Sequence, residues 1–379
     1  MIHHRTASAV LRYATLIQDL VSECADEERN KIYDTSALGA EKQQNILHLH
    51  TLDLQLCLMT SSIRGPCLLL RSLPLKTIAQ ATSTMARAYS SQAFTNFPLE
   101  IRDTAKHLED ARSKNYQIPP LTATKPDLSQ DTGYRIASAI RALRCERNND
   151  VIVGRKIGFT NKSIWPEFNV DRSNWSYMYR SSVVDLNVQE HHAGKPIVCD
   201  LSEFSNLETK IEPEIVLGMK ANIASSMGDE EILGCIEWIA HGFEMVASVY
   251  PGWKFTAADT TAAFALHGKL LLGRKTYLSS STISPQQLLR QLEAFKITLH
   301  CNDALADEGF GSNVLGSPIK ALRHLAELLE KDEVNLALEA GEMVTTGTLT
   351  RALSVADEDR WRTEIDGLDV APLDVKFKI

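Results

Sequence analysis

The sequence predicts an α+β fold: a β-rich core with flanking helices and a helical segment ahead of it. Three observations carry this. Helical periodicity is concentrated early, before Asn148-Asn149-Asp150. After that point the chain turns to short, β-branched runs punctuated by glycine. Few helical stretches separate those runs, so the strand–helix alternation of a doubly wound parallel sheet is missing.

Taken in order, residues 100–115 read as a helix, with Ile101, Ala105, Leu108 and Ala111 at helical spacing. Pro119-Pro120 ends that pattern. Asp131 reads as the N-cap of a second helix through Ile136, Ile140 and Leu143. Val151-Ile152-Val153-Gly154 and Lys156-Ile157-Gly158-Phe159 read as strand and turn, and residues 211–217 as a strand. Residues 232–249 show helical periodicity running into a strand. Leu270-Leu271-Leu272-Gly273 and Ile297-Thr298-Leu299-His300 are further strands. Ser317-Pro318 marks a helix start, cap followed by proline at the first helical position, and Ile319, Leu322, Leu325, Ala326 and Leu329 line one face. Residues 342–346 and 370–379 close the chain as strands.

Length and composition bound the function. The chain has 379 residues, a formal net charge of −8 and 44% hydrophobic residues, an ordinary globular composition. No basic footprint marks a nucleic-acid partner, and no apolar run approaches the roughly 18–20 residues that span a bilayer. The seven cysteines are scattered without a CxxC pair, which reads as reduced thiols in an intracellular compartment.

The N-terminal quarter differs from the rest. Residues 59–99 contain no Asp or Glu, carry a formal charge of +4 and are rich in Ser, Thr and Ala. That is the composition of an organelle transit segment, and Arg87-Ala88-Tyr89-Ser90-Ser91 looks like a mitochondrial processing site. A mitochondrial matrix location is therefore expected, with a cytoplasmic one as the alternative. Residues 1–58, with a net charge of −3, read as a disordered leader or gene-model extension, Met59 then being the true start. Residues 100–379 are the expected mature domain, with a net charge of −9.

Three clusters could carry chemistry. In Lys210-Ile211-Glu212-Pro213-Glu214-Ile215, Glu212 and Glu214 stand at i and i+2 and so project from one face of a strand. Two carboxylates that close repel, so they either face water or share a cation. Pro213 confines the segment to an edge or irregular strand. Glu244 is a third acid, set among apolar neighbours in His241-Gly242-Phe243-Glu244-Met245-Val246, where an isolated charge is costly to bury. Three carboxylates on one ion would suit a hard divalent metal, magnesium or manganese. Lys156, between glycines in Gly154-Arg155-Lys156-Ile157-Gly158-Phe159-Thr160, either snorkels to water or meets a substrate carboxylate and shuttles a proton. The strand end Thr346-Gly347-Thr348 either offers backbone N–H groups to an anion or closes a simple hairpin. His191-His192 reads as a surface turn, and no His pair has zinc spacing.

The order GRKIGFT, KIEPEIVLG, HGFEMV, GWKFTAADT, GSPIKALRHLAELL and GEMVTTGTLT resembles the 2-keto-4-pentenoate hydratase and 4-oxalocrotonate decarboxylase family of the fumarylacetoacetase superfamily. The resemblance covers about residues 104–379. It implies a mixed β-roll core like the fumarylacetoacetase C-terminal domain and a divalent metal, Mg2+ or Mn2+, held by Glu212, Glu214 and Glu244. It further implies a catalytic Lys156, a catalytic Asp259 after Trp253-Lys254, substrate contacts at Gly158, Asn174, Gly347 and Thr348, and assembly as a homo-oligomer.

The implied activity is that of a lyase on a small-molecule 2-keto acid, hydration of a 2-hydroxydienoate or 2-oxo-alkenoate by way of a metal-stabilised enolate. Two departures bear on the outcome. Asn174 stands where hydratases of this kind carry an acid, and an amide is no general base. Ala262-Ala263-Phe264-Ala265-Leu266 replaces a more polar stretch of the family. The alternatives are decarboxylation of an oxalocrotonate or oxaloacetate type, C–C hydrolysis of an acylpyruvate, and a non-catalytic subunit of the same fold.

Overall fold

The computed structural model describes residues 94–379, apart from 169, 171, 189–194 and 333. The leader, the basic segment up to residue 93, Asp171 and the His191-His192 turn lie outside the described residues.

Two helices come first. Helix α1 (Leu99–Ser113) buries Ala105, Leu108 and Ala111, with Glu100 in its first turn and Arg112 in its last, each complementing the helix dipole. Helix α2 (Gln130–Asn148) is capped slightly earlier than the sequence suggests. Ser129, not Asp131, is the N-cap, and its hydroxyl accepts from the Thr132 N–H at 3.1 Å. Asp131 falls inside the first turn, where its charge still favours the helix N-terminus. Asn149, at φ 49°, ends the helix in the left-handed region that asparagine tolerates.

The rest is two mixed, curled sheets. Strands β1 (Ile152–Gly158), β2 (Asn174–Tyr179), β3 (Val183–Asp185) and β4 (Ile197–Asp200) lead to the long β5 (Glu208–Met219). The short helix α3 (Asp229–Gly234) precedes β6 (Ile236–Ser248), and α4 (Ala257–Ala262) precedes β7 (His267–Leu272) and β8 (Thr276–Tyr277). Helix α5 (Pro285–Ala294), β9 (Lys296–Cys301), β10 (Ala304–Phe310) and α6 (Pro318–Glu330) follow, then β11 (Met343–Thr345), β12 (Leu353–Ser354), β13 (Arg360–Asp366) and β14 (Asp374–Lys378). The first sheet runs β2-β1-β11-β5-β6-β7-β3, with β12 beside β5 and β8 beside β6; the second runs β10-β9-β13-β14-β4.

Residues 232–249 depart from the expected helix-into-strand pattern. Helix α3 ends at Gly234, and thirteen residues form one continuous strand, β6. Nearly every residue of β6 is buried. A strand covered on both faces loses the polar–apolar alternation that identifies strands, so periodicity alone misreads it.

One apolar cluster joins α1 and α2 to Trp361, Val375 and Phe377 of the second sheet and to Ile211, Phe243 and Met245 of the first. Another packs Leu288 and Leu292 of α5 and Ile319, Leu322 and Leu325 of α6 against Ile157, Ile215 and Leu217. The sheet that carries the acidic residues is thus walled by apolar packing. Among the described residues no helix is long and apolar enough to cross a membrane.

Candidate metal and substrate site

Register builds the acidic cluster. Strands β5 and β6 are antiparallel, and Glu212 lies directly opposite Glu244, while Glu214 lies opposite Gly242. The i, i+2 spacing puts Glu212 and Glu214 on one face, and the pairing adds Glu244 beside them. One carboxylate oxygen from each of the three lies within 4.8 Å of the others. Glu214 and Glu244 have 0% exposure, and Glu212 is half-buried. Like charges opposed across a ladder are destabilising, so the cluster needs compensation.

Lys156 supplies part of it. Strand β1 pairs in parallel with β11, Lys156 opposite Thr345, and β11 pairs with β5. From there the Lys156 ammonium lies 3.4 Å from Glu244 Oε1 and 3.7 Å from Glu212 Oε2. Its strand neighbour Arg155 alternates to the opposite face, where it pairs with Glu342 and stacks over Tyr177. His267 Nδ1 donates to Glu244 Oε1 at 2.7 Å. The Gly347 N–H donates to Glu214 Oε2 at 2.6 Å, and Thr345 Oγ1 lies 3.4 Å from Glu244 Oε2.

The three acids differ in electrostatics. Burial raises Glu244, but Lys156 and the His267 hydrogen bond outweigh it and hold the group at about 2. Burial pushes Glu214 well above the usual carboxylate range, helped by the charges of Glu244 and Glu212. Burial likewise lifts Glu212 to about 7, against the pull of Lys156. Burial lowers Lys156, yet the three glutamates more than reverse it and keep the amine charged. Without further positive charge Glu214 therefore keeps its proton and Glu212 takes one up as pH falls through about 7.

The donor set suits a hard divalent cation. It is all oxygen, two of the acids are lifted by burial and by neighbouring carboxylate charge that a cation would offset, and Glu214 Oε1 is buried without a hydrogen-bond partner.

A cavity of about 270 Å³ opens beside the cluster. Lys156 and Glu212 line it, together with Gly158, Thr160, Asn174, Thr348, Lys210 and Arg351. Trp253, Phe255, Leu266 and Leu353 form an apolar wall. Gly158 leaves room there, since a Cβ on it would stand 2.4 Å from Asn174 Oδ1 and 3.2 Å from Lys156 Cε. Asn174 is 1% exposed; Nδ2 donates to Thr260 Oγ1 at 3.1 Å, and Oδ1 has no partner. Gly347 sits behind Glu214 at φ 100°, with the Thr160 hydroxyl where a Cβ would go. Thr348 lines the cavity while its hydroxyl donates to the Thr350 carbonyl at 3.0 Å.

Asp259 is placed elsewhere. It is the third residue of α4, and its carboxylate accepts from the N–H and hydroxyl of Thr256 and from the N–H and hydroxyl of Thr122. It does not line the cavity. Four donors at a helix start make it a capping-box acid that staples α4 to the segment after α1, away from the cavity where the sequence reading expects a catalytic residue.

Sequence reasoning passed over His267, Thr160, Lys210 and Arg351 as site residues. Lys210 had a signal, since it lies two residues before Glu212 and shares its face. His267, inside Leu266-His267-Gly268, had none.

Fold and site together define a sheet-cored protein with a trio of acids, two of them fully buried, beside a cavity of small-molecule size. No protein-family profile matches this chain. The 2-hydroxyhexa-2,4-dienoate hydratase of Comamonas testosteroni is 26% identical over 269 residues, 71% of this chain and 94% of that protein. The 4-oxalocrotonate decarboxylase of Pseudomonas putida is also 26% identical over 269 residues, 70% of this chain and 92% of its own. Among solved structures, 4-oxalocrotonate decarboxylase from Pseudomonas putida G7, complexed with magnesium and adipate, covers 73% of this chain and 97% of its own with a TM-score of 0.63 at 23% identity. The curated homologues are thus hydratases and a decarboxylase, enzymes of the lyase type, the group that the motif order resembles.

Proposed function

We propose that this chain is a divalent-metal-dependent lyase acting on a 2-keto acid, and that its reaction is hydration of a 2-hydroxydienoate or 2-oxo-alkenoate. One observation carries the reading: Glu212, Glu214 and Glu244 converge within 4.8 Å beside a cavity lined by Lys156. Glu212, Glu214 and Glu244 would hold the cation, Mg2+ or Mn2+. When bound, it supplies Lewis-acid stabilisation of negative charge on the substrate's carboxylate and 2-oxo oxygens.

The chain's own residues account for the remaining needs. Ketonisation moves a proton from the 2-hydroxyl to the far end of the diene, and water then adds to the conjugated carbon. Lys156, charged and held between Glu212 and Glu244, can donate to a substrate oxygen or pass the proton on. Asn174 Oδ1, buried and unpartnered on the cavity wall, can accept from and orient a water. It cannot take that water's proton at neutral pH. Gly158 keeps the space between Lys156 and Asn174 clear, and the wall of Trp253, Phe255, Leu266 and Leu353 limits bulk water.

Decarboxylation is the second reading. Asn174 in place of an acid favours it, and so do Lys210 and Arg351 on the cavity wall, cations that suit a substrate with a second carboxylate. Magnesium-dependent turnover of 2-hydroxypenta-2,4-dienoate, 2-oxo-3-hexenedioate and oxaloacetate, with product identification, separates the two. Hydration of the first substrate is the expected result. Carbon dioxide from the second would move the assignment to a carboxy-lyase. No metal-dependent turnover of any substrate and no magnesium effect on melting would point to a non-catalytic relative.

Placement in the mitochondrial matrix rests on the acid-poor, Arg- and Ser-rich composition of residues 59–99. Sequencing the N-terminus of the native protein tests it; a start near Ser90 is expected, and a start within residues 1–58 would reject import. Assembly as a homo-oligomer is expected from the resemblance, and light scattering on the purified chain measures it.

A further inference from the structure

His267 takes no part in the function proposed above, yet it is buried and hydrogen-bonded to the acidic cluster. It opens β7, and its register partner on β6 is Val246, two residues beyond Glu244. An ionised Glu244, the form that ligates a cation, can only accept, so the proton of the 2.7 Å contact with Glu244 Oε1 sits on His267 Nδ1. The ring's other nitrogen, Nε2, lies 2.9 Å from Ser182 Oγ. Ser182 is anchored in turn: its hydroxyl accepts from the Tyr179 N–H at 3.3 Å, and with the ring proton on Nδ1 its single proton serves Nε2 and the Tyr179 carbonyl, 2.8 Å away, between them. The chain Glu244–His267–Ser182 runs from the acidic cluster to a second cavity, of about 550 Å³, lined by His267, Ser182, Arg112 and Arg144.

We infer that His267 is a positioning residue: held from behind by Ser182, it fixes the Glu244 carboxylate so that the trio is preformed for a cation. This rests on the cation-binding reading of the three glutamates. The other groups at Glu244 are the Lys156 ion pair at 3.4 Å, the Thr345 hydroxyl at 3.4 Å and the neighbouring Glu214 carboxyl, itself a member of the trio. None of these fixes the carboxylate plane as a short hydrogen bond from a ring clamped at both nitrogens does. Partners that orient a metal ligand in this way typically contribute about 10–100-fold in metal affinity.

The test is Mg2+ affinity by titration calorimetry on the full chain, a readout independent of turnover. His267→Ala should weaken binding about tenfold. His267→Asn, whose amide N–H can stand where Nδ1 stood, should recover most of that loss, which a purely structural role would not predict. Ser182→Ala should fall between wild type and His267→Ala. Binding by His267→Ala within about twofold of wild type, while Glu214→Gln loses binding, would overturn the positioning role and leave the cation reading intact. Equal binding by wild type and Glu214→Gln would remove the cation reading and this inference with it. If His267→Ala does not fold, Ser182→Ala decides: affinity lowered about threefold supports the inference, and wild-type affinity rejects it.

Discussion

Glu212, Glu214 and Glu244 are the same side chain in three environments, and the differences set what each can do. Glu244 is ionised because Lys156 and His267 face it; Glu214 is buried against two acids and keeps its proton. Glu214→Gln should therefore fold normally without metal yet lose Mg2+ binding, measured by calorimetry; unchanged affinity would count against its place among the ligands. Lys156→Met should lower kcat about 100-fold or more if the amine moves a proton, with Mg2+ affinity still measurable. A variant that keeps kcat and raises only KM would make Lys156 a substrate-binding group instead. At this scale the sequence is informative where chemistry follows local spacing. The i, i+2 pair announces a shared face through the alternation of a strand alone. His267 cannot be picked out in the same way, because nothing adjacent to it in the chain reveals that a carboxylate on the next strand needs a donor.

Elements show both sides of the same limit. The helix start at Ser317-Pro318 follows from cap chemistry, and the Ser317 hydroxyl accepts from the Lys320 N–H at 3.2 Å. Cap chemistry also governs Asp259, whose place after Trp253-Lys254 suggests catalysis when the chain is read alone. Asp259→Ala removes a buried acceptor of four hydrogen bonds at the start of α4 and should cost about 2 kcal/mol of stability, read from denaturant melts. Activity per folded molecule should stay near wild type; a kcat loss above tenfold in well-folded protein would restore a catalytic role. Gly347→Ala should do the reverse kind of damage. Its φ of 100° and the Thr160 hydroxyl behind it leave no place for a methyl group, so the Gly347 N–H should leave Glu214 and Mg2+ affinity should drop. Strand β6 is hard to recognise in the sequence because burial on both faces erases its alternation.

Over the whole molecule, the cluster links stability to pH and to metal. Glu212 and Glu214 have folded values above the ordinary carboxylate range, so folding takes up protons there. Their contribution is present below the ordinary carboxylate pKa and is lost as pH rises through the folded values, near 7 for Glu212. Glu244 runs the other way: its contribution is present above the ordinary pKa and is lost as pH falls toward about 2. Metal-free protein should lose melting temperature between pH 5 and pH 8, and Mg2+ should add more at pH 8 than at pH 5.5, because a cation displaces the two protons. An Mg2+ shift that does not depend on pH would contradict this charge arrangement.

The sequence by itself determined the α+β class, the pairing of Glu212 with Glu214 on one face, and the membership of Lys156 and Glu244 in one group of motifs, since these follow from local spacing and motif order. Only the tertiary structure decided that Glu244 stands opposite Glu212, that Lys156 reaches both from β1 across the intervening β11, that His267 backs the cluster and that Asp259 caps a helix. Strand neighbours and register are set by packing between segments far apart in the chain, and a one-residue slip would turn every one of these side chains to the other face.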